Sequence, residues 1–386
     1  MERIARLRHH MRAHGIDALL CLKPQNTFYL TGFNPVLYSH PVVAVLTMTD
    51  DPVLLVYALR DDHARLSGVK NVRLFGSWST KTTMGADWLR ALQTILEELT
   101  LAGGTLGIEG DFLPVNTAQE FQRRFPRARF EDASAMIMDT RMTKDDEEIA
   151  LIRSAAEISD VGMDVALAAA AERRSEREIS IRAMAAMNQV WLERFPDREV
   201  ADFGSLEGGI HNGLWCYCLV GDRVALNCDN PTLRRPTDGE LAMIVIWTVC
   251  NGLHAENERT VAVGRLDDQR RRAFEAILQI REAAQRTIRP GVTCSALYGT
   301  AKRLYEQLGY GDYVPGRIGH GMGLGGHELP SIQASDQTEL RPGMILTFEP
   351  NLRIPEFGGL QHADTLLVTE TGFEFLTSTR RDFLRV

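Results

Sequence analysis

An α+β chain of two domains is what the sequence predicts, on three observations. Residues 1–140 alternate helical and strand-like stretches, whereas residues 141–386 open with a long helical region and end strand-rich, punctuated by Gly and Pro. The length of 386 residues at 44% hydrophobic content also exceeds the roughly 250–300 residues at which single cores stop growing.

The first domain reads as α/β, from a helix near Glu2–His14 to strands at Ala18–Leu22, Thr27–Leu30, Val42–Met48 and Pro52–Tyr57. A helix near Trp88–Leu99 and a strand at Thr105–Glu109 complete it. The polar stretch MDTRMTKDDEE then turns helical with acidic residues at its start, as a helix N-terminus favours, and marks the boundary. Helix continues to about Phe195, and strand-like segments follow at Trp215–Val220 and Val224–Asn227. Leu266–Arg289 and Cys294–Leu308 read as helices, and Tyr313–Leu376 as strands and tight turns.

The formal charge of −8 argues against nucleic-acid or anionic-membrane partners. No run approaches the ~18 apolar residues of a membrane span, and no signal peptide fits the N-terminus. The six cysteines lack zinc-ribbon spacing, and Cys216 and Cys218 would share a strand face, so reduced thiols and a cytoplasmic location are expected.

Four stretches carry chemistry. Glu240–Gly264 is a hairpin pattern whose second arm puts His254, Glu256 and Glu258 on one face, a costly arrangement to bury without a metal, a cationic ligand or protein partners. Gly316–Glu328, GRIGHGMGLGGHE, sets His320 and His327 among six glycines. Met344–Pro350 is an apolar strand ending in Glu349, and Gly358–Glu370 returns through His362 into another strand.

In this order the four stretches resemble the C-terminal domain of the creatinase and methionine-aminopeptidase superfamily, and QNTFYLTGF resembles the N-terminal domain of creatinases and Xaa-Pro peptidases. The resemblance implies an N-terminal creatinase-type domain over 1–140 and a pita-bread catalytic domain over 141–386. In the metallopeptidase members two ions are held by five residues. Matched one by one, these fall at Val245, Glu256, His320, Glu349 and Ala363, so two of the five offer no ligand. Trp247 stands where the peptidases have a small Gly. A site without metal is the expectation, with a single divalent ion on Glu256, His320 and Glu349 as the alternative.

The creatinases of the superfamily work without metal, and a glutamate before Arg-Thr helps the strand-end glutamate bind a guanidinium; Glu258 and Glu349 match them. The expected function is therefore a creatinase-like hydrolase of a non-peptide C–N bond (amidine, guanidino, ureido, lactam or amide) in a small polar molecule. His320 and His327 are the acid/base candidates, while Glu256, Trp247, His254 and His362 line the pocket. Counting back to the family's catalytic histidine lands on Cys228 or Asp229, which leaves Cys228 as a nucleophile candidate or a structural thiol. The arginines that grip creatine are not retained. The resemblance implies a homodimer in which Tyr38 and His40 reach the partner's pocket. Alternatives are a divergent Xaa-Pro peptidase with one metal, a binding module that has lost catalysis, and a lyase on the same fold.

Overall fold

The computed structural model describes residues 2–203 and 212–386. They form two compact units, residues 2–141 with 202–203, and residues 142–201 with 212–386.

In the first unit six strands, β1 (Ala18–Cys21), β2 (Val43–Thr47), β3 (Val53–Tyr57), β4 (Asn71–Phe75), β5 (Thr105–Ile108) and β6 (Arg129–Asp132), form one sheet in the order β4-β3-β2-β1-β5-β6. The chain also forms α1 (Glu2–His14), α2 (Pro24–Thr31), α3 (Asp61–Leu66), α4 (Trp88–Glu98), α5 (Val115–Arg124) and α6 (Ser134–Met142). The predicted strand at Thr27–Leu30 is instead the body of α2. Pro24 starts that helix and Gly32 ends it at φ 70°, a left-handed cap. Glu109 secures the entry by accepting the N–H groups of Leu22 (2.6 Å) and Lys23 (2.7 Å) and the Asn26 amide (2.6 Å).

The second unit begins with α7 (Asp146–Ala171) and α8 (Glu176–Arg194), each entered through a capping box, Asp145 with Glu148 and Ser175 with Glu178. Eight strands make its main sheet: β7 (Trp215–Val220), β8 (Leu241–Cys250), β9 (Leu253–Ala262), β10 (Gly319–Gly321), β11 (Glu328–Ser331), β12 (Ile345–Phe348), then, after the small hairpin β13 (Asn351–Ile354) and β14 (Gly358–Gln361), β15 (Ala363–Val368) and β16 (Phe373–Phe375). The order is β11-β10-β12-β15-β9-β8-β7, with β16 on β15. Between β9 and β10 lie α9 (Asp268–Gln285) and α10 (Cys294–Gln307). The predicted strand at Val224–Asn227 is replaced by a 3-10 turn, Gly221–Leu226, which Asn227 leaves at φ 66°. Among the described residues no helix is long and apolar enough to cross a membrane.

Helices cover one face of the sheet. Gly162 lets α7 settle onto it, since a Cβ there would press on Met187 of α8 and Ile246 of β8. The Thr248 hydroxyl donates to the Ala155 carbonyl at 2.7 Å, and the Asn257 amide donates to Asp160 of α7 at 2.9 Å. The centre of this face is Asp364, fully buried, which takes Arg259 at 2.7 Å and Arg281 of α9 at 2.5 Å, with Arg381 at 3.2 Å. Arg259 also donates to the carbonyls of Ala363 and Arg380, at 2.8 and 2.7 Å, so β9, β15 and the C-terminal segment share one charged knot.

Burial alone would raise the Asp364 carboxyl; the three guanidinium groups outweigh it and hold its pKa below the ordinary value. That contribution to stability is complete above the unfolded carboxyl's pKa, about 3.9, and lost as pH falls through the folded one. Asp364→Asn should lower unfolding free energy by about 3–5 kcal/mol at pH 7, because it leaves buried arginines without a countercharge. Denaturant titrations should show the deficit shrinking in acid.

Candidate active site

The open face of the sheet carries the chemistry, and strand register explains which residues meet there. One row of cross-strand neighbours runs His320, Thr347 and Thr365, and Glu256 faces Trp247, which faces Trp215. Thr365 joins the two halves: its hydroxyl accepts the Glu256 N–H and donates to the Glu256 carbonyl, both at 2.8 Å. In the next row Ala363 pairs with Glu258, Glu258 with Val245, and Val245 with Tyr217, while Glu349 lies just past the end of β12. The two apolar residues thus flank Glu258, which is the carboxylate in that row of β9.

Glu256, His320 and Glu349 are all buried, and one ligand atom of each lies within 4.8 Å of the others. His320 Nε2 is 3.6 Å from a Glu256 oxygen and 3.6 Å from a Glu349 oxygen. The other ring nitrogen, Nδ1, donates to the Gly321 carbonyl at 3.0 Å, which leaves Nε2 with a bare lone pair facing two carboxyl groups. Both His320 Nε2 and Glu256 Oε2 lack a hydrogen-bond partner. Three acceptors pointed at one spot repel unless a proton or cation lies between them, so the donor set fits one divalent ion.

The charges confirm the strain. Burial, then the neighbouring Glu258 and Glu349, push the Glu256 carboxyl well above its usual range. Burial and Glu349 bring Glu258 to about 8, and burial brings Glu349 to about 7 against the pull of Arg317, Arg353 and Arg281. Burial drives His320 down to about 3.

The glycine loop is pinned from two sides. The His254 ring and its backbone N–H both donate to the Gly323 carbonyl at 2.9 Å. Glu328 accepts the Gly325 N–H at 2.8 Å and lies 3.3 Å from Lys144, itself buried. A Cβ at Gly326 would overlap the Trp247 indole, so only glycine allows that approach. His327 is exposed, its ring 4.3 Å from His320 and 5.1 Å from Trp247. Burial, Arg317 and His254 lower its pKa.

Other expected site residues are placed elsewhere. His362 alternates with Ala363 and so points to the helical side, where it is fully buried against Phe274 at 5.4 Å. Tyr38 is buried with Phe33 and Val42 in the core of its own unit, and His40 stacks on Tyr57 at 4.0 Å. Cys228 is an exposed thiol beside Tyr217, and Asp229 is engaged by Arg223 at 3.1 Å. The sequence reading passed over Thr347, which donates to Glu256 at 3.2 Å, and Gln361, which donates to Glu258 at 2.6 Å. It also gave no role to Lys144 or Glu328, although Glu328 follows His327 directly.

Residues 150–370 match the model of metallopeptidase family M24, and residues 3–143 match the creatinase/prolidase N-terminal domain. The chain belongs to metallopeptidase family M24. Among its M24 relatives, the Xaa-Pro dipeptidase of Pyrococcus furiosus is 28% identical over 99% of each chain. A putative dipeptidase of Bacillus subtilis is 27% identical over 100% of this chain and 99% of its own. The crystal structure of the prolidase from Pyrococcus horikoshii superposes with a TM-score of 0.79 at 26% identity, covering 100% of both chains. The prolidase from Pyrococcus furiosus gives 0.77 at 28% identity over 97% of this chain and 99% of that one.

These matches correct two expectations. A creatinase-like hydrolase of a non-peptide C–N bond gives way, because full-length relatives and neighbours are named as dipeptidases and prolidases. The expected absence of a metal also loses its support, since the family is one of metallopeptidases and three ligand atoms converge. The chain is a hydrolase of M24 type, in two domains and with the pita-bread fold.

Because Glu256 folds with a raised pKa, it opposes folding increasingly as pH climbs above the unfolded carboxyl's value of about 4.3. Glu256→Gln should therefore stabilise the chelator-treated protein at pH 7 by about 0.5–2 kcal/mol, with little gain at pH 4. Thermal melts at the two pH values measure the difference.

Proposed function

We propose that this M24 chain hydrolyses Xaa-Pro or closely related dipeptides with one divalent ion held by Glu256, His320 and Glu349. The convergence of three buried ligand atoms, two of them without any other partner, carries the reading. Full-length similarity to proteins named Xaa-Pro dipeptidase supports the substrate class. One ion rather than two follows from Val245 and Ala363, which present no donor where the family resemblance puts the remaining ligands. Two carboxylates and an imidazole suit Mn2+, Co2+ or Zn2+. When bound, the ion supplies Lewis-acid polarisation of the scissile carbonyl.

The protein's own groups divide the remaining work. The Gly321 carbonyl holds His320 in the tautomer that keeps Nε2 free as a ligand. Burial and Glu349 raise the Glu258 pKa and the Gln361 amide holds its carboxyl at 2.6 Å, so it is placed to pass a proton to the departing amine nitrogen. His327, neutral and at the surface beside Trp247, is positioned to hydrogen-bond the substrate and relay protons to solvent. Trp247 and Tyr217 stand in the cross-strand rows of Glu256 and Glu258 and present aromatic surface beside them. A homodimer, with the region around His40 available to a second chain, belongs to the same reading.

Elemental analysis after dialysis against Mn2+ should find one ion per chain, and Ala-Pro should be cleaved. Glu349→Gln should lose the ion and reduce turnover by more than about 100-fold. Two tightly held ions per chain would overturn the single-ion site. One ion with no cleavage of any Xaa-Pro peptide would overturn the enzymatic reading in favour of a binding module.

A further inference from the structure

Beside Glu349 lies a cleft of about 360 Å³ whose polar lining includes Asn227, Arg317, Asn351, Arg353 and Gln361. Arg353 rises from the β13–β14 hairpin opposite Gly359, where a Cβ would crowd its guanidinium at 3.1 Å. Its Nη2 donates to two neutral amide oxygens, of Asn227 and Gln361, and its Nη1 makes only a long 3.4 Å bond to the adjacent Leu352 carbonyl. Among the described residues no carboxylate lies within ion-pair distance of this half-buried guanidinium. Gln361 separates it from Glu258, because the same amide accepts from Arg353 and donates to Glu258. Arg317, half-exposed, stands with its Nη2 3.5 Å from Glu349. Two guanidinium forks therefore border one residue-sized cleft next to the ion ligands, and the more buried of them has amides where an anion belongs.

We propose that this cleft binds a substrate carboxylate and that Arg353, assisted by Arg317, determines specificity for it. The proposal rests on the peptidase reading for the substrate's backbone, and it names the end of that substrate that the chain selects. A planar carboxylate matches the guanidinium forks, while the Glu349 wall repels anions of higher charge. The group is either the C-terminal carboxylate of a dipeptide or an acidic side chain at its second residue; both present the same chemistry.

The test uses the full chain loaded with Mn2+ and three probes, Ala-Pro, Ala-Pro amide and Ala-Asp amide. Arg353→Gln should raise KM for Ala-Pro by about 10–100-fold with kcat changed less than about three-fold, and Arg353→Lys should recover part of the loss. Ala-Pro amide should bind weakly to both proteins and show no further penalty in the variant. If Ala-Asp amide behaves like Ala-Pro, the acidic side chain satisfies the site; if it behaves like Ala-Pro amide, the C-terminus is the source. Arg317→Gln, a half-exposed position, should show the same pattern more weakly and guards against misfolding of the Arg353 variants. Equal losses for acid and amide would reduce the arginines to neutralising Glu258 and Glu349 and overturn the proposal. Should no peptide be cleaved, the peptidase reading falls separately, and calorimetry of Ala-Pro against its amide on the metal-free chain decides this one. Binding of the acid that Arg353→Gln abolishes supports it; no binding, or binding indifferent to the substitution, overturns it.

Discussion

Ten consecutive residue pairs between β8 and β9 are the constraint on which the rest of the catalytic unit depends. A slip of one residue in that hairpin would exchange its two faces, sending Glu256 and Glu258 into the helices and Asn257 and Arg259 into the open. The register holds because each face has its own requirement. Asn257, Arg259 and Thr248 find partners only on the helical side, in Asp160, Asp364 and the Ala155 carbonyl. Structural polar groups on one side thus determine the direction of functional ones on the other.

The two faces treat buried charge in opposite ways. On the helical side, one carboxylate, Asp364, is matched by three arginines, and every charge is answered within the fold. On the open side three glutamates crowd a neutral imidazole, with Arg317 and Arg353 at the margin. That excess of acid is what the proposed ion would offset. The protein concentrates unsatisfied electrostatics where binding is required and eliminates them a single residue away along the same strand.

Much of this was legible in the amino-acid order. Alternation along His254–Glu256–Glu258 placed two carboxylates on one face, the glycine-rich stretch located His320 and His327, and the lone acid before Pro350 marked Glu349. The helix start at Asp146 was written in the acidic residues that follow Asp145, whereas the break between α7 and α8 was read as continuous helix and is made by the Ser175 cap. What stayed hidden depends on cross-strand neighbours. That Glu258 sits between Val245 and Ala363, and that Gln361 links it to Arg353, are facts of register rather than spacing. Thr27–Leu30 misled because its apolar run fits helix and strand alike, and Glu109, more than eighty positions away, decides between them. His362 misled for a simpler reason, since one step along a strand reverses direction. The loss of two ligand positions was plain in the sequence, but it was weighed toward the metal-free branch of the superfamily, whereas the full-length likeness runs to the peptidases.

The indole of Trp247 resting on the backbone of Gly326 couples two positions on different elements. Glycine cannot be exchanged there while the tryptophan remains, and removing the tryptophan opens a void between β8 and the loop that positions His327. Restoring carboxylates at Val245 and Ala363 would place two new acids on either side of Glu258 in the same cross-strand row, where each would raise the others' pKa.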